Sequence, residues 1–131
     1  MPNNGNYSPY DVECARNAIN YIHRHHRERI SPQDLAEEVG INKKKLQLLV
    51  QLLTGYTVHE YHLNTKIENA KSELADFSKL IQRIAKQQGF HSATHFNREF
   101  KKRTNMTPKQ YRCELMVTNC FYKEVSLMKT Y

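Results

Sequence analysis

Apolar residues recur at three- and four-residue spacings along most of the chain, and no segment alternates with a period of two. The pattern therefore predicts an all-α protein of about seven helices. Ser8-Pro9-Tyr10-Asp11 reads as a helix start, with Ser8 as N-cap and Pro9 at the first helical position. That helix carries the stripe Val12, Ala15, Ile19 and Ile22 and should end near His26. Ser31-Pro32 opens a second helix with Leu35, Ala36 and Val39 inward, and Asn42 caps a third that runs through Leu46, Leu49, Val50 and Leu53 to Gly55. Thr57-Val58-His59-Glu60 fits a capping box and starts a helix from Val58 to about Ala75, some 27 Å long at ~1.5 Å per residue. Ser78 is the expected start of a fifth helix with Leu80, Ile81, Ile84 and Ala85 inside. Ser92 caps a sixth carrying Phe96 and Phe100, and Thr107-Pro108-Lys109-Gln110 is a second capping box before the last helix.

These elements repeat. Leu35-Ala36-x-x-x-Gly40, followed ten residues after Ala36 by Leu46, returns as Ile84-Ala85-x-x-x-Gly89, followed eleven residues after Ala85 by Phe96. Each copy reads as a helix-turn-helix unit: the alanine lets two helices approach, the glycine takes the positive φ of a sharp turn, and the later apolar residue plugs the space between the helices. Gly55-Tyr56-Thr57-Val58-His59-Glu60-Tyr61 likewise returns as Asn105-Met106-Thr107-Pro108-Lys109-Gln110-Tyr111. The offset is 49 residues before the turns and 50 after them, which puts one extra residue in the second turn. The expected organisation is a disordered segment 1–7, a first helix-turn-helix subdomain 8–57, a linker helix 58–77, a second subdomain 78–112 and a C-terminal extension 113–131 of unknown role.

Charge separates the two copies. Residues 79–112 hold nine Lys or Arg against Glu99 alone, a net +8, whereas residues 1–78 hold nine basic and ten acidic residues. A charge run by itself fits a solvated face, but here it flanks a helix that the repeat marks as a groove reader. No apolar run approaches the ~20 residues of a membrane span and the N-terminus has no signal-peptide core, so the expectation is a cytoplasmic chain without a membrane partner. Cys14, Cys113 and Cys120 show no C-x-x-C spacing and are read as reduced thiols.

The run Ile84-Ala85-Lys86-Gln87-Gln88-Gly89-Phe90-His91-Ser92-Ala93-Thr94-His95-Phe96-Asn97-Arg98-Glu99-Phe100-Lys101-Lys102, ending with Thr107-Pro108-Lys109-Gln110-Tyr111-Arg112, resembles the AraC/XylS family of bacterial transcription regulators. The resemblance extends from about Ile19 to Arg112. It implies two helix-turn-helix units joined by one long helix, sequence-specific binding to double-stranded promoter DNA, and contact with RNA polymerase. It implies no cofactor and no metal, and with no ligand-sensing domain in the chain, no effector ligand is expected.

Matched position by position, the resemblance makes Lys44, Lys45, Gln47 and Leu48 candidate base readers in the first recognition helix, with Asn42 and Lys43 at its start as phosphate candidates. In the second, the base-reading candidates are Ala93, Thr94, Asn97 and Arg98, with His95 near them; Ser92, Lys101, Lys102 and Arg103 are phosphate candidates. Glutamine can bond adenine in two places, lysine and arginine reach guanine acceptors, and leucine can touch only a thymine methyl. The family often has arginine where Leu48 stands, so the first unit is expected to be the more permissive. Lys66 also stands where arginine is usual, and Asn105 replaces the glycine that ends the sixth helix, a position asparagine tolerates. The segment Cys113–Tyr131 has no counterpart in the family. Its Leu115, Met116, Val117, Phe121, Tyr122, Val125, Leu127 and Met128 either continue the last helix over the second unit or make an interface.

Other constellations carry less. His91 and His95 are four apart and could share a helix face, but no carboxylate or cysteine completes a metal site. His23, His25 and His26, with Arg24, Arg27 and Arg29, suit a helix C-terminus, while His59 and His62 read as surface residues of the linker helix. No Ser/His/Asp set, phosphate-cradling glycine loop or carboxylate pair supports an enzyme. The alternative is a protein-interaction module with degenerate helix-turn-helix units and unspecific DNA affinity. A methyl-accepting repair protein would need a cysteine cluster before the first helix, where only Cys14 stands.

Overall fold

Local capping chemistry sets most of the helix boundaries. In the computed structural model, which describes the backbone of residues 7–128 and the side chains of residues 7–118, α1 (Pro9–Arg24) starts at Ser8. The Ser8 hydroxyl accepts the Asp11 amide at 3.1 Å, and the Asp11 carboxylate accepts the Ser8 amide at 3.2 Å. Ser31 caps α2 (Pro32–Val39) in the same way, and the Asn42 side-chain oxygen takes the amides of Lys44 and Lys45 at the start of α3 (Lys43–Thr54). Thr57 accepts the Glu60 amide at the head of α4 (Val58–Leu74), and Ser92 accepts the His95 amide at the head of α6 (Ala93–Thr104). At α7 (Pro108–Met128) the box is reciprocal: Thr107 accepts from the Gln110 amide and its own amide donates to the Gln110 side chain. These seven helices comprise all the regular structure among the described residues.

The start of α5 (Ile81–Gln87) departs from expectation. Ser78 does not cap it, because the Ser78 amide and hydroxyl both donate to the Asp76 carboxylate, closing a turn before the helix and holding that carboxyl below its usual range. Leu80 falls at the N-cap, without a side-chain bond, and is 70% exposed instead of lying inside. At the N-terminus, Tyr7 packs against the first core although its polar neighbours grouped it with a disordered segment; residues 1–6 lie outside the described residues. So do the side chains of Phe121, Tyr122, Val125, Leu127 and Met128.

The chain divides into two compact units, residues 1–66 and 67–131, with the boundary inside α4. In the first unit Ala15, Ala18 and Ile22 of α1 meet Leu35 and Ala36 of α2, Leu46, Leu49 and Val50 of α3, and Val58 at the start of α4. Alanine at three of these positions keeps the backbones close; Leu46, Val50 and Ile22 fill what is left. The second unit is aromatic. Phe90, Phe96, Phe100 and Tyr111 form a ladder with centroid separations of 5.0, 5.7 and 5.5 Å, inside the range favoured for tilted and edge-on rings. Ile84, Ala85, Gln88 and Pro108 are buried with them. Arg112 on α7 donates to the carbonyls of Leu74 and Asp76 at 3.1 and 3.2 Å, satisfying acceptors at the C-terminal end of α4.

His62, read as a surface residue, is buried. Its Nε2 donates to the His26 carbonyl at 3.0 Å, supplying a partner to the chain as it leaves α1. Burial, with the Lys66 ammonium nearby, pushes His62 down to about 4, and burial with the neighbouring Arg29 lowers Lys66. Below the ordinary histidine value of about 6.5 the unfolded chain takes a proton that the folded chain refuses, so stability falls as pH drops from 6.5 towards 4. The expected loss attributable to His62 approaches roughly 3 kcal/mol across that window. Denaturant titrations at pH 7 and pH 4.5 should show a smaller loss for His62→Gln, which keeps a donor but does not titrate; equal losses would remove His62 as the cause.

Candidate nucleic-acid interface

The two units match at the level of individual hydrogen bonds. In each, the amide after the turn glycine donates back five residues, Ile41 to the Ala36 carbonyl at 3.1 Å and Phe90 to the Ala85 carbonyl at 3.0 Å. Both glycines have positive φ, +77° at Gly40 and +79° at Gly89. The side of Gly40 is also closed, since an added Cβ would lie 3.1 Å from the Tyr10 hydroxyl, which itself donates to the Gly40 carbonyl. The extra residue of the second turn is His91, inserted between Phe90 and the N-cap Ser92. After the turns the register is 50: Leu46 and Phe96, then Val50 and Phe100, are buried plugs. At the far ends Thr54 and Thr104 each donate to the carbonyl four residues back and accept the amide two residues on. Gly55 and Asn105 close α3 and α6 in the left-handed conformation, at φ +81° and +65°.

This frame sets which side chains the recognition helices present. On α3 Lys43, Lys44, Gln47 and Leu48 are exposed, beside the N-cap Asn42; on α6 Thr94, Asn97 and Arg98 are exposed and Ala93 is half-buried. Lys45, itself exposed, and the half-buried His95 occupy matched positions, and each meets a partner within its own unit. The Lys45 ammonium lies 3.3 Å from the Asp11 carboxylate on α1, which the Ser8 amide and Lys45 together hold below its usual range. The His95 ring meets Phe90 edge-on at 5.5 Å, and its Nδ1 is buried. His91 and His95 do not share a helix face, because His91 precedes α6.

Among the phosphate candidates, Lys101 and Lys102 are exposed, whereas the Arg103 guanidinium pairs with Glu99 in a half-buried setting. Burial of Glu99 would raise its carboxyl, but Arg103 outweighs that and lowers it. Ser92 and Asn42 use their side-chain oxygens as caps.

Arg83 and Lys86 went unmarked in the sequence. With Leu80, Gln82 and Gln87 they line an open concavity on α5. Shifted by 49 residues, Arg83 and Lys86 match Asp34 and Glu37 on α2, so the leading helices of the two units carry opposite charge. Comparison of the repeats position by position would have found them.

Two helix-turn-helix units in one cap and core register define a tandem helix-turn-helix protein. A family model described as a helix-turn-helix domain matches residues 35–114. An uncharacterized HTH-type transcriptional regulator of Staphylococcus aureus (strain COL) is 36% identical over 107 residues, which is 82% of this chain and 14% of that protein. The chain thus spans about one seventh of that relative's length. The crystal structure of a transcriptional regulator with an AraC-type DNA-binding domain from Chromobacterium violaceum aligns with a TM-score of 0.74 at 26% identity, covering 79% of this chain and 92% of that one. The DNA-binding domain of AdpA, solved in complex with a target DNA, aligns with a TM-score of 0.74 at 16% identity, covering 79% and 94%, a likeness of fold. The chain belongs to the AraC-type helix-turn-helix family of DNA-binding transcription regulators.

The Lys45–Asp11 pair generates a test. Asp11→Asn removes the carboxylate beside Lys45 and keeps an acceptor for the Ser8 amide, so DNA binding should tighten. If Lys45 is released to a phosphate, the salt slope should steepen by about one unit. Fluorescence anisotropy across a salt series reads both; an unchanged slope would leave Lys45 outside the interface.

Proposed function

We propose that the chain binds double-stranded promoter DNA in a sequence-specific manner and regulates transcription, with α3 and α6 in successive major grooves on one face of the duplex and RNA polymerase as a further partner. The observation that carries this reading is the shared register, in which matched caps and plugs hold two helices whose matched outward positions differ: Lys44, Gln47 and Leu48 against Thr94, Asn97 and Arg98. Non-identical readers predict asymmetric half-sites bound by one chain. The AdpA domain, of the same fold and solved with a target DNA, supports duplex DNA as the ligand. Selection from a random duplex library followed by footprinting should reveal about 20 protected base pairs with unlike halves. Protection of a single groove, or a palindrome that needs two chains, would overturn the arrangement.

The second unit is the stronger anchor in this reading, because Arg98, Lys101 and Lys102 are exposed on α6 and Arg83 and Lys86 on α5. Arg98→Ala should cost roughly 1 to 3 kcal/mol on the selected site and relax preference at one or two base pairs, as expected of a two-pronged guanine contact. Equal losses on selected and random DNA would assign Arg98 to phosphate instead. Replacing Lys101 or Lys102 by alanine should weaken binding to all sequences alike and lower the salt slope by about one unit each.

A further inference from the structure

The recognition helices differ most where their exposed faces should be most alike. Leu48 and Leu52 on α3 match Arg98 and Lys102 on α6, and Gln51 and Leu53 match Lys101 and Arg103. Leu48 is 39% exposed and Leu52 64% exposed, one helical turn apart on the outward side of a helix whose inner side is Leu46, Leu49 and Val50. A leucine facing base edges desolvates donors and acceptors without bonding them, which is unfavourable opposite most of the major groove. One base feature there is apolar, the C5-methyl of thymine. Next to Leu48 the exposed Gln47 carries the side chain suited to adenine, so both neighbouring readers favour an A·T pair.

We propose that the first unit is a thymine-methyl reader: Leu48, at the register of Arg98, packs on a thymine C5-methyl in the half-site under α3, while Gln47 bonds adenine there. The inference rests on the groove-reading role proposed above and assigns that half-site its chemistry. The first unit then adds a thymine preference by apolar contact to the guanine contact and the charge of the second.

The test replaces thymine by deoxyuridine, which removes the methyl and leaves pairing and charge intact, in one half of the selected site at a time. Arg98→Ala first marks which half belongs to the second unit. With the full chain, deoxyuridine under α3 should weaken binding about fourfold for each methyl in contact, and the same exchange under α6 should have little effect. Leu48→Ser should remove the difference between thymine and deoxyuridine at one position, and Leu52→Ser, at the register of Lys102, should keep it; both residues are exposed, and circular dichroism checks that the fold survives. A selected half-site without thymines, or a deoxyuridine site bound as tightly as the thymine site, overturns the inference and leaves the DNA-binding function standing. Should leucine-to-serine changes then spare DNA binding altogether, the patch belongs to a protein contact. A chain that selects no site overturns the function and the inference together.

Discussion

A buried plug behind a left-handed turn is the constraint on which both halves of this protein depend. Leu46 in one unit and Phe96 in the other are fully buried, and each follows a turn whose glycine has φ near +80°. A residue with a side chain meets strain at that φ, and at Gly40 it would also press on the Tyr10 hydroxyl. With the turn and the plug fixed, the axis and the rotation of the recognition helix are fixed, and so is the set of residues it turns outward. The caps add the remaining constraint: Asn42 and Ser92 start the two helices, and Thr54 and Thr104 organise their ends through identical hydrogen bonds.

Because the inward positions are so tightly held, divergence between the two copies is concentrated on the outward ones. The first core is packed with alanine, leucine and valine, the second with a ladder of aromatic rings, yet Leu46 and Phe96, and Val50 and Phe100, pack at the same positions. Outside, Asp34 and Glu37 stand against Arg83 and Lys86, and Leu48 and Leu52 against Arg98 and Lys102. A fold that separates an invariant inner register from a free outer one lets two recognition surfaces of one chain take up different chemistry without altering the turn that aims them.

What the sequence made legible was local. Helix number, six of the seven expected helix starts and the positive-φ turns all depend on residues within a few positions of one another, and periodicity records such relations directly. What it concealed was set by partners distant in the chain. Lys45 finds Asp11 across 34 residues, Arg112 finds the Leu74 carbonyl across 38, and His62 finds the His26 carbonyl across 36. Leu80 misled for a different reason: the Asp76–Ser78 turn competes for the capping serine and delays the helix, which moves an apolar residue from the inside of α5 to its exposed start. The roles of the outward residues towards DNA are a further step again, since a sequence fixes which groups are offered but their use depends on the ligand.

The same distant partners change how charge should be counted. The formal +8 of residues 79–112 already sets Arg103 against Glu99, and it includes Arg112, which serves two backbone carbonyls. In the first unit Lys45 is answered by Asp11, and the buried Lys66 has its ammonium lowered by burial and Arg29. What remains exposed on α5 and α6, Arg83, Lys86, Arg98, Lys101 and Lys102, still exceeds what α2 and α3 offer, because acidic residues on α2 oppose the lysines at the start of α3. Electrostatic asymmetry between the units therefore survives the correction, and it comes from the outward register of the repeat more than from the overall basicity of the chain. A phosphate backbone, on the function proposed above, would be drawn first to the exposed cations of α5 and α6.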